Sequence, residues 1–206
     1  MSLLKDEFDN VINKKSDKKF LDDYYSRYQR ILFDSRDDSA ILTLRDAIKK
    51  IHLNKGKLIF IGNGASASLA SHAATDFTKQ AKIPSIAFND HNLITALSND
   101  YGYQKWVSRA IGYYAKPEDL IIFISVSGES SNLIEGINFA NKRSILTASL
   151  TGSSETNSLR NKSKYSLWVN SKAYNIVESI HTIWITLIID LFVGSPEYMV
   201  NNQLKS

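Results

Sequence analysis

The feature that most constrains the fold is an apolar run of strand length that ends in a serine-rich turn. Residues 119–131 read Asp-Leu-Ile-Ile-Phe-Ile-Ser-Val-Ser-Gly-Glu-Ser-Ser, and a helical pattern of apolar residues follows them. A strand that enters a helix through such a turn directs free backbone N–H groups, the positive end of the helix dipole and hydroxyl donors to one point. The segment therefore predicts an anion pocket of a size suited to a phosphate monoester.

An ordinary Ser/Gly turn that caps a helix is the alternative interpretation of the same residues. Capping a helix requires one hydroxyl group. This turn carries four hydroxyls, on Ser125, Ser127, Ser130 and Ser131, and the excess favours the anion pocket.

A second strand-to-helix turn of the same design lies upstream, at residues 57–68, which read Lys-Leu-Ile-Phe-Ile-Gly-Asn-Gly-Ala-Ser-Ala-Ser. Ligands of open α/β sheets bind beyond the carboxyl ends of the strands, so both turns are expected at one edge and can share one ligand. A dinucleotide-binding fingerprint would require glycine at Ala67, and the chain has no Walker Gly-Lys-Ser/Thr motif. The binding residues predicted from the two turns are Asn63, Gly64, Ser66, Ser125, Ser127 and Ser130.

Periodicity along the chain alternates between strand and helix. Strands are predicted at 57–61, 85–88, 119–125, 145–150 and 165–169, and helices at 4–33, 38–53, 65–80, 91–98 or shorter, 103–114, 130–142, 155–161 and 174–193. Strands that alternate with helices indicate an α/β fold: a parallel five-stranded sheet, doubly wound and flavodoxin-like, with helices on both faces. The predicted divisions are an N-terminal helical segment, 1–36, a single α/β domain, 37–194, and a polar tail, 195–206.

Five segments, in order and spacing, resemble the sugar isomerase (SIS) domain and, within it, the phosphoheptose isomerase branch. They are Gly62 to Ser66, His72, Thr95 to Tyr103, Ser125 to Ser130 and Leu150 to Gly152, and the resemblance covers about residues 40–194. It implies the isomerisation of sedoheptulose 7-phosphate to glycero-manno-heptose 7-phosphate through an enediol, for surface-polysaccharide precursors. It also implies a zinc ion and a homotetramer, with a dimer as the second choice.

The resemblance also implies catalytic and metal-binding residues, and here the chain departs from the family pattern. His72 and Asp76 stand where the family has His and Glu four residues apart, a spacing that places both on one helix face. On the last helix, Glu178 stands at the family's Gln, and Thr186 replaces its second catalytic His. Thr is a poor metal ligand, so the predicted metal ligands are His72, Asp76 and Glu178. The predicted catalytic residues are Asp76, Glu178 and, as a compensating group, His181.

Asp100 matches a family residue that contacts the sugar hydroxyls, although the sequence around it is also typical of a turn.

The N-terminal segment carries many apolar and aromatic side chains, among them Phe8, Val11, Ile12, Phe20, Tyr24 and Leu32. These residues are expected either to pack on their own domain or, as the resemblance implies, to assemble the homo-oligomer.

Composition favours a cytoplasmic protein that binds neither nucleic acid nor a membrane. The chain has 206 residues, a net charge of +4 and no cysteine, which excludes disulfides and thiolate chemistry. Its basic residues are scattered among acidic ones, and no apolar run of spanning length is evident.

Two other functions stay open: a non-catalytic phosphosugar-binding regulatory or protein-interaction module, and an isomerase of another phosphosugar.

Overall fold

The structure is a computed structural model that describes residues 17–197. The chain divides into two compact units, which meet in sequence between Arg36 and Asp37. The apolar residues Phe8, Val11 and Ile12 of the predicted oligomerisation segment lie outside the described residues, as do positions 198–206 of the polar tail.

The described part of the first unit is helical. Helix α1 spans Asp17–Gln29 and continues into a π-helical turn at Arg30–Asp34. None of the residues of these two elements is buried, and the exposed fractions of Phe20, Tyr25 and Phe33 are 55%, 67% and 70%. Tyr24 stacks on Phe20, with ring centroids 6.1 Å apart. The segment therefore presents aromatic surface rather than burying it.

The second unit contains a five-stranded, fully parallel sheet, which confirms the predicted fold class. Its strands are β1 (Leu58–Gly62), β2 (Ser85–Ala87), β3 (Leu120–Ser125), β4 (Leu146–Thr151) and β5 (Tyr165–Trp168). The strand order β2-β1-β3-β4-β5 is that of the flavodoxin-like doubly wound fold. Strands β1 and β3 are neighbours, and their registered pairs end with Gly62 opposite Ile124. The two predicted turns consequently leave the sheet side by side.

The helices cover both faces of this sheet. Their bounds are α2 (Asp38–Leu53), α3 (Ala65–Lys79), α4 (His91–Tyr101), α5 (Trp106–Tyr114), α6 (Ser131–Lys142), α7 (Ser158–Lys162) and α8 (Tyr174–Val193). Helix α8 contacts both α2 and α3, and α4 to α7 form a second contiguous series. Every residue of β1 and β3 is buried, as expected for strands covered on both sides.

Helix α4 runs further than its sequence pattern predicts. The Asn-Asp pair at 99 and 100, which is typical of a turn, is helical, and the helix ends at Tyr101, where the Gly102 N–H donates to the Ser98 carbonyl at 2.9 Å. The Asp90 side chain caps the other end by accepting from the Leu93 N–H at 3.0 Å. Capping at both ends outweighs the local turn preference of Asn and Asp.

Helix α8 is long and apolar enough, by length and composition alone, to cross a membrane, although no such segment was expected. Eight of its residues are buried in the second unit, where the helix contacts α2, α3 and β4. Because a buried core helix meets the same criterion, we interpret α8 as the core helix of this unit. It also carries Glu178 and His181.

Candidate phosphosugar site

The first strand-to-helix turn is shaped by backbone that only glycine adopts easily. Gly64, which precedes α3, has φ +56° and ψ −127°, a conformation that strains any residue with a Cβ atom. Helix α3 begins at Ala65, directly after Gly64. Ser66, the second residue of this helix, is buried. The Ser66 and Ala67 N–H groups donate to the Asn63 and Gly64 carbonyls. The Ala65 N–H, the first of the helix, therefore lies at the carboxyl edge of the sheet as a donor for a ligand.

The second turn follows β3 and uses its serines in two ways. Ser125 Oγ accepts a hydrogen bond from the Gly128 N–H at 3.1 Å, and Ser127 Oγ accepts one from the Glu129 N–H at 3.2 Å. Both hydroxyls thus stabilise the turn as acceptors and keep their O–H protons for a ligand. Ser130 occupies the N-cap position of α6, but its side chain makes no capping hydrogen bond. The simple capping interpretation does not account for this serine.

Asn157 and Ser158, at the start of α7, contact the second turn. Gly128 has φ +69°, and a Cβ atom there would lie 2.0 Å from Asn157 Oδ1. The Glu129 carboxylate accepts from the Ser158 N–H at 2.8 Å and from the Ser158 hydroxyl at 2.7 Å. The one acidic group of the turn is therefore engaged by the start of α7.

The two turns together line a cavity of about 300 Å³, which we name the turn cavity. It is lined by all six binding residues predicted from the turns, Asn63, Gly64, Ser66, Ser125, Ser127 and Ser130, and also by Tyr174 and Glu178 of α8. Asp100 is not among the residues that line it. That residue is exposed on α4, where its carboxylate accepts from Asn99 Nδ2 at 3.1 Å.

A second cavity, of about 350 Å³, lies between α3 and α8, and we name it the helix cavity. Its polar lining includes Ser66, His72, Glu178, His181 and Thr182. Ser66 and Glu178 line both cavities, so the serine-rich pocket adjoins a space that contains a carboxylate. The sequence had singled out every one of these five residues except Thr182.

His72 and Asp76 contact each other on α3. Nε2 of His72 lies 3.2 Å from Oδ2 of Asp76, and the exposed fractions of the two side chains are 61% and 26%. His72 lines the helix cavity, whereas Asp76 is not among its lining residues. The predicted four-residue spacing is therefore realised as a contact between the two side chains.

His181 is fully buried in α8. Because a carbonyl only accepts hydrogen bonds, the Nε2–H must donate to the Thr151 carbonyl, 3.2 Å away at the end of β4. Nδ1 is buried without a hydrogen-bond partner among the described residues. Desolvation lowers the pKa of His181 to about 4, although the bond to Thr151 acts in the opposite direction. The ring is therefore neutral at physiological pH.

The predicted zinc ligands do not come together as a metal site within one chain. Across residues 17–197, no three His, Asp or Glu side chains form a group that could hold a metal ion. His72 and Glu178 line the helix cavity and Asp76 contacts His72, so the zinc site stays a prediction. Thr186 supplies no further ligand, because its hydroxyl donates to the Thr182 carbonyl at 2.9 Å.

Comparison with known proteins identifies the family. The SIS domain family model matches residues 23–152. The chain belongs to the SIS family. A phosphoheptose isomerase from Thermodesulfovibrio yellowstonii is 33% identical over 149 residues, which are 69% of this chain and 74% of that protein. The family assignment that the motifs suggested is confirmed, including its phosphoheptose isomerase branch, and the chain is thereby placed among the phosphosugar isomerases.

Two further matches define how far this similarity extends. A phosphoheptose isomerase from Roseiflexus sp. is 33% identical over 120 residues, which are 55% of this chain but only 61% of that protein. The solved structure of a phosphoheptose isomerase from Francisella tularensis superposes with a TM-score of 0.78, covers 88% of this chain and is 21% identical. At that identity the structural match establishes the shared fold.

Proposed function

We propose that the protein isomerises sedoheptulose 7-phosphate to glycero-manno-heptose 7-phosphate, a step toward surface-polysaccharide precursors in the cytoplasm. The observation that carries this proposal is the junction of the two cavities at Ser66 and Glu178. A phosphosugar has an anionic end and a reactive carbonyl end, so its enzyme requires an anion pocket that continues into a space with a catalytic base. The named relatives of the chain favour a heptose as the sugar.

The turn cavity is the phosphate end of this proposed site. Ser125, Ser127 and Ser130 retain hydroxyl protons, and the first residues of α3 and α6, Ala65 and Ser131, add backbone N–H groups. Hydrogen bonds from such donors to a phosphate oxygen are charge-assisted, and the positive ends of the two helix dipoles add to them. We name this donor set the phosphate cradle.

Glu178 is the residue that we assign as the catalytic base, because it is the carboxylate that lines both cavities. The carboxylate takes a proton from C1 of the ketose as the C2 carbonyl becomes an enediol oxygen. A proton is then returned to C2, the C1 hydroxyl loses its proton as that oxygen becomes the aldehyde, and the C2 oxygen gains a proton to become a hydroxyl. One proton has moved from C1 to C2 and one from the C1 oxygen to the C2 oxygen, and no electron donor or acceptor is required.

Asp76 and His181 fit this role less well. The Asp76 carboxylate faces His72 and is not among the residues that line the helix cavity. The Nε2–H of His181 is committed to Thr151, and a pKa of about 4 leaves the other nitrogen unprotonated at neutral pH. We therefore assign His181 to holding the end of β4 in place. No step passes through a metal ion, because the residues of one chain do not supply a fitting ligand set.

We also propose that the protein is a homo-oligomer, with a tetramer as the first choice and a dimer as the second. The support is the aromatic surface of the first unit, where Phe20, Tyr25 and Phe33 are each more than half exposed. Exposed aromatic surface of this kind commonly marks a protein interface. Deletion of residues 1–34 should lower the association state or cause aggregation, as measured by light scattering coupled to size exclusion. A full-length monomer at micromolar concentration would contradict the proposal.

The activity is tested by incubating the protein with sedoheptulose 7-phosphate and following the sugar by NMR, with and without zinc. Appearance of the aldose C1 signal, and exchange of the C1 proton with solvent deuterium, are the expected results. Phosphosugar binding without any isomerisation at high protein concentration would instead assign the chain to the non-catalytic, phosphosugar-binding modules. Turnover of a different phosphosugar alone would replace the substrate but keep the reaction.

A further inference from the structure

Two asparagine side chains join the turns of the phosphate cradle. Asn63 Nδ2 donates to Asn132 Oδ1 at 3.0 Å, and Asn132 Nδ2 donates to Asn63 Oδ1, also at 3.0 Å. The two amides thus form a reciprocal pair that is closed by two hydrogen bonds. Asn63 belongs to the turn after β1, and Asn132 is the second residue of α6, which follows the turn after β3.

Asn132 is buried, and its amide bonds to a residue that is distant in the sequence. Its exposed fraction is 1%, and both ends of its amide are used on a residue 69 positions away in the chain. A buried amide that loses its partner has a large desolvation cost, so the pair strongly favours one separation of the two turns. The pairing of β1 with β3 ends at Gly62 and Ile124, just before the turns begin, and the amide pair continues that link beyond the sheet.

Asn63 is held on a third side by Tyr103. The Tyr103 hydroxyl donates to Asn63 Oδ1 at 3.2 Å, so this oxygen accepts two hydrogen bonds. An amide offers two N–H donors and two acceptor positions. Three of these four positions on Asn63 are therefore occupied by described residues, and one N–H is left on a side chain that lines the turn cavity.

We propose that Asn132 is a positioning residue for the phosphate cradle. It acts through Asn63: the amide pair fixes the turn after β1 against the turn after β3 and orients the remaining Asn63 N–H as a donor to a ligand oxygen. This inference rests on the proposed function, because it assumes that the turn cavity binds the phosphosugar. If the inference holds, phosphosugar affinity depends on Asn132, a side chain that does not line the turn cavity.

A double-mutant cycle tests the inference through phosphosugar affinity. Calorimetry with sedoheptulose 7-phosphate would compare the full-length wild type with Asn63→Ala, Asn132→Ala and the double variant. Loss of one net hydrogen bond corresponds to about a tenfold loss of affinity, so each single variant should bind about tenfold more weakly. The double variant should lose little more than either single variant, because both changes remove the same device.

Two further variants separate positioning from general destabilisation. Asn132→Leu keeps most of the side-chain volume and should show the same affinity loss if Asn132→Ala fails to fold. Asn141→Ala is the matched control: Asn141 lies on the same helix and donates to the Lys162 carbonyl at 2.9 Å, away from the turns. It should leave affinity within twofold. In turnover, the Asn132 variants should raise KM about tenfold and change kcat by less than threefold.

The possible failures point to different conclusions. Additive losses in the double variant, unchanged affinity in Asn132→Leu, or a fall in kcat with KM unchanged would each overturn the positioning role alone. A wild-type protein that binds neither the phosphosugar nor inorganic phosphate would overturn the proposed function, and the inference that rests on it.

Discussion

The two ends of the candidate site differ in how they are built. The turn cavity is formed largely by backbone and small hydroxyl side chains, and all six residues predicted from the two turns line it. The helix cavity depends on side chains from α3 and α8; outside its lining, Asp76 contacts His72 and Thr186 bonds to its own helix. The two ends therefore differ in what fixes them: local backbone geometry in the turns, and side-chain packing between α3 and α8 in the helix cavity.

The first way to test this difference is to remove the carboxylate that both ends share. Glu178→Gln keeps the shape of the side chain but cannot accept a proton, so isomerisation should fall by about a hundredfold or more. Phosphosugar affinity should be unchanged or tighter, because a negative charge is removed near the phosphate. NMR turnover and calorimetry measure the two quantities. Glu118→Gln, an exposed residue just before β3, is the matched control. Equal losses of turnover and affinity would contradict a base role.

The complementary change is made in the cradle. Ser127→Ala combined with Ser130→Ala removes two donors to a charged oxygen and should weaken sedoheptulose 7-phosphate binding about a hundredfold. Ser131→Ala is the control, since this neighbouring residue is exposed and does not line the turn cavity. Calorimetry that returns wild-type affinity for the double variant would remove the cradle assignment.

Features that depend on local sequence were predicted, whereas contacts between distant residues were not. The strands and both turns follow local signals, such as the apolar run before Ser125 and the glycines around Asn63, and they were predicted within one or two residues. The amide pair of Asn132 and the hydroxyl of Tyr103 were not predicted, because their partner lies 69 and 40 positions away in the chain. No local pattern marks such contacts. The contact of Asp76 with His72, away from the residues that line the helix cavity, was not predicted either, since side-chain direction depends on the packing of α3 against α8.

Burial of His181 should make the stability of the protein depend on pH. The pKa of His181 is lowered from 6.5 to about 4, so the unfolded chain binds the extra proton first as pH falls. Its contribution to the free energy of unfolding is therefore complete above pH 6.5 and is lost as pH drops toward 4, by about 3 kcal/mol in total. Urea unfolding at a series of pH values should show this slope, and His181→Gln should remove it. The exposed His52→Gln should keep the slope, and an unchanged slope in His181→Gln would contradict the assignment.

The last test adds to the helix cavity the group that the family pattern has and this chain lacks. Thr186 lies on α8 one turn beyond Thr182, which lines that cavity. A titratable histidine at this position would supply a second acid/base group, so Thr186→His should raise kcat about tenfold, at the low end of what general acid/base groups contribute. Thr186→Gln, which is similar in size but cannot titrate near neutral pH, should not raise it. NMR turnover with zinc or with EDTA then separates two causes: a gain in both conditions indicates proton transfer, and a gain with zinc alone indicates a restored metal ligand. No gain in either condition would contradict the expectation that a histidine at position 186 reaches the reacting sugar.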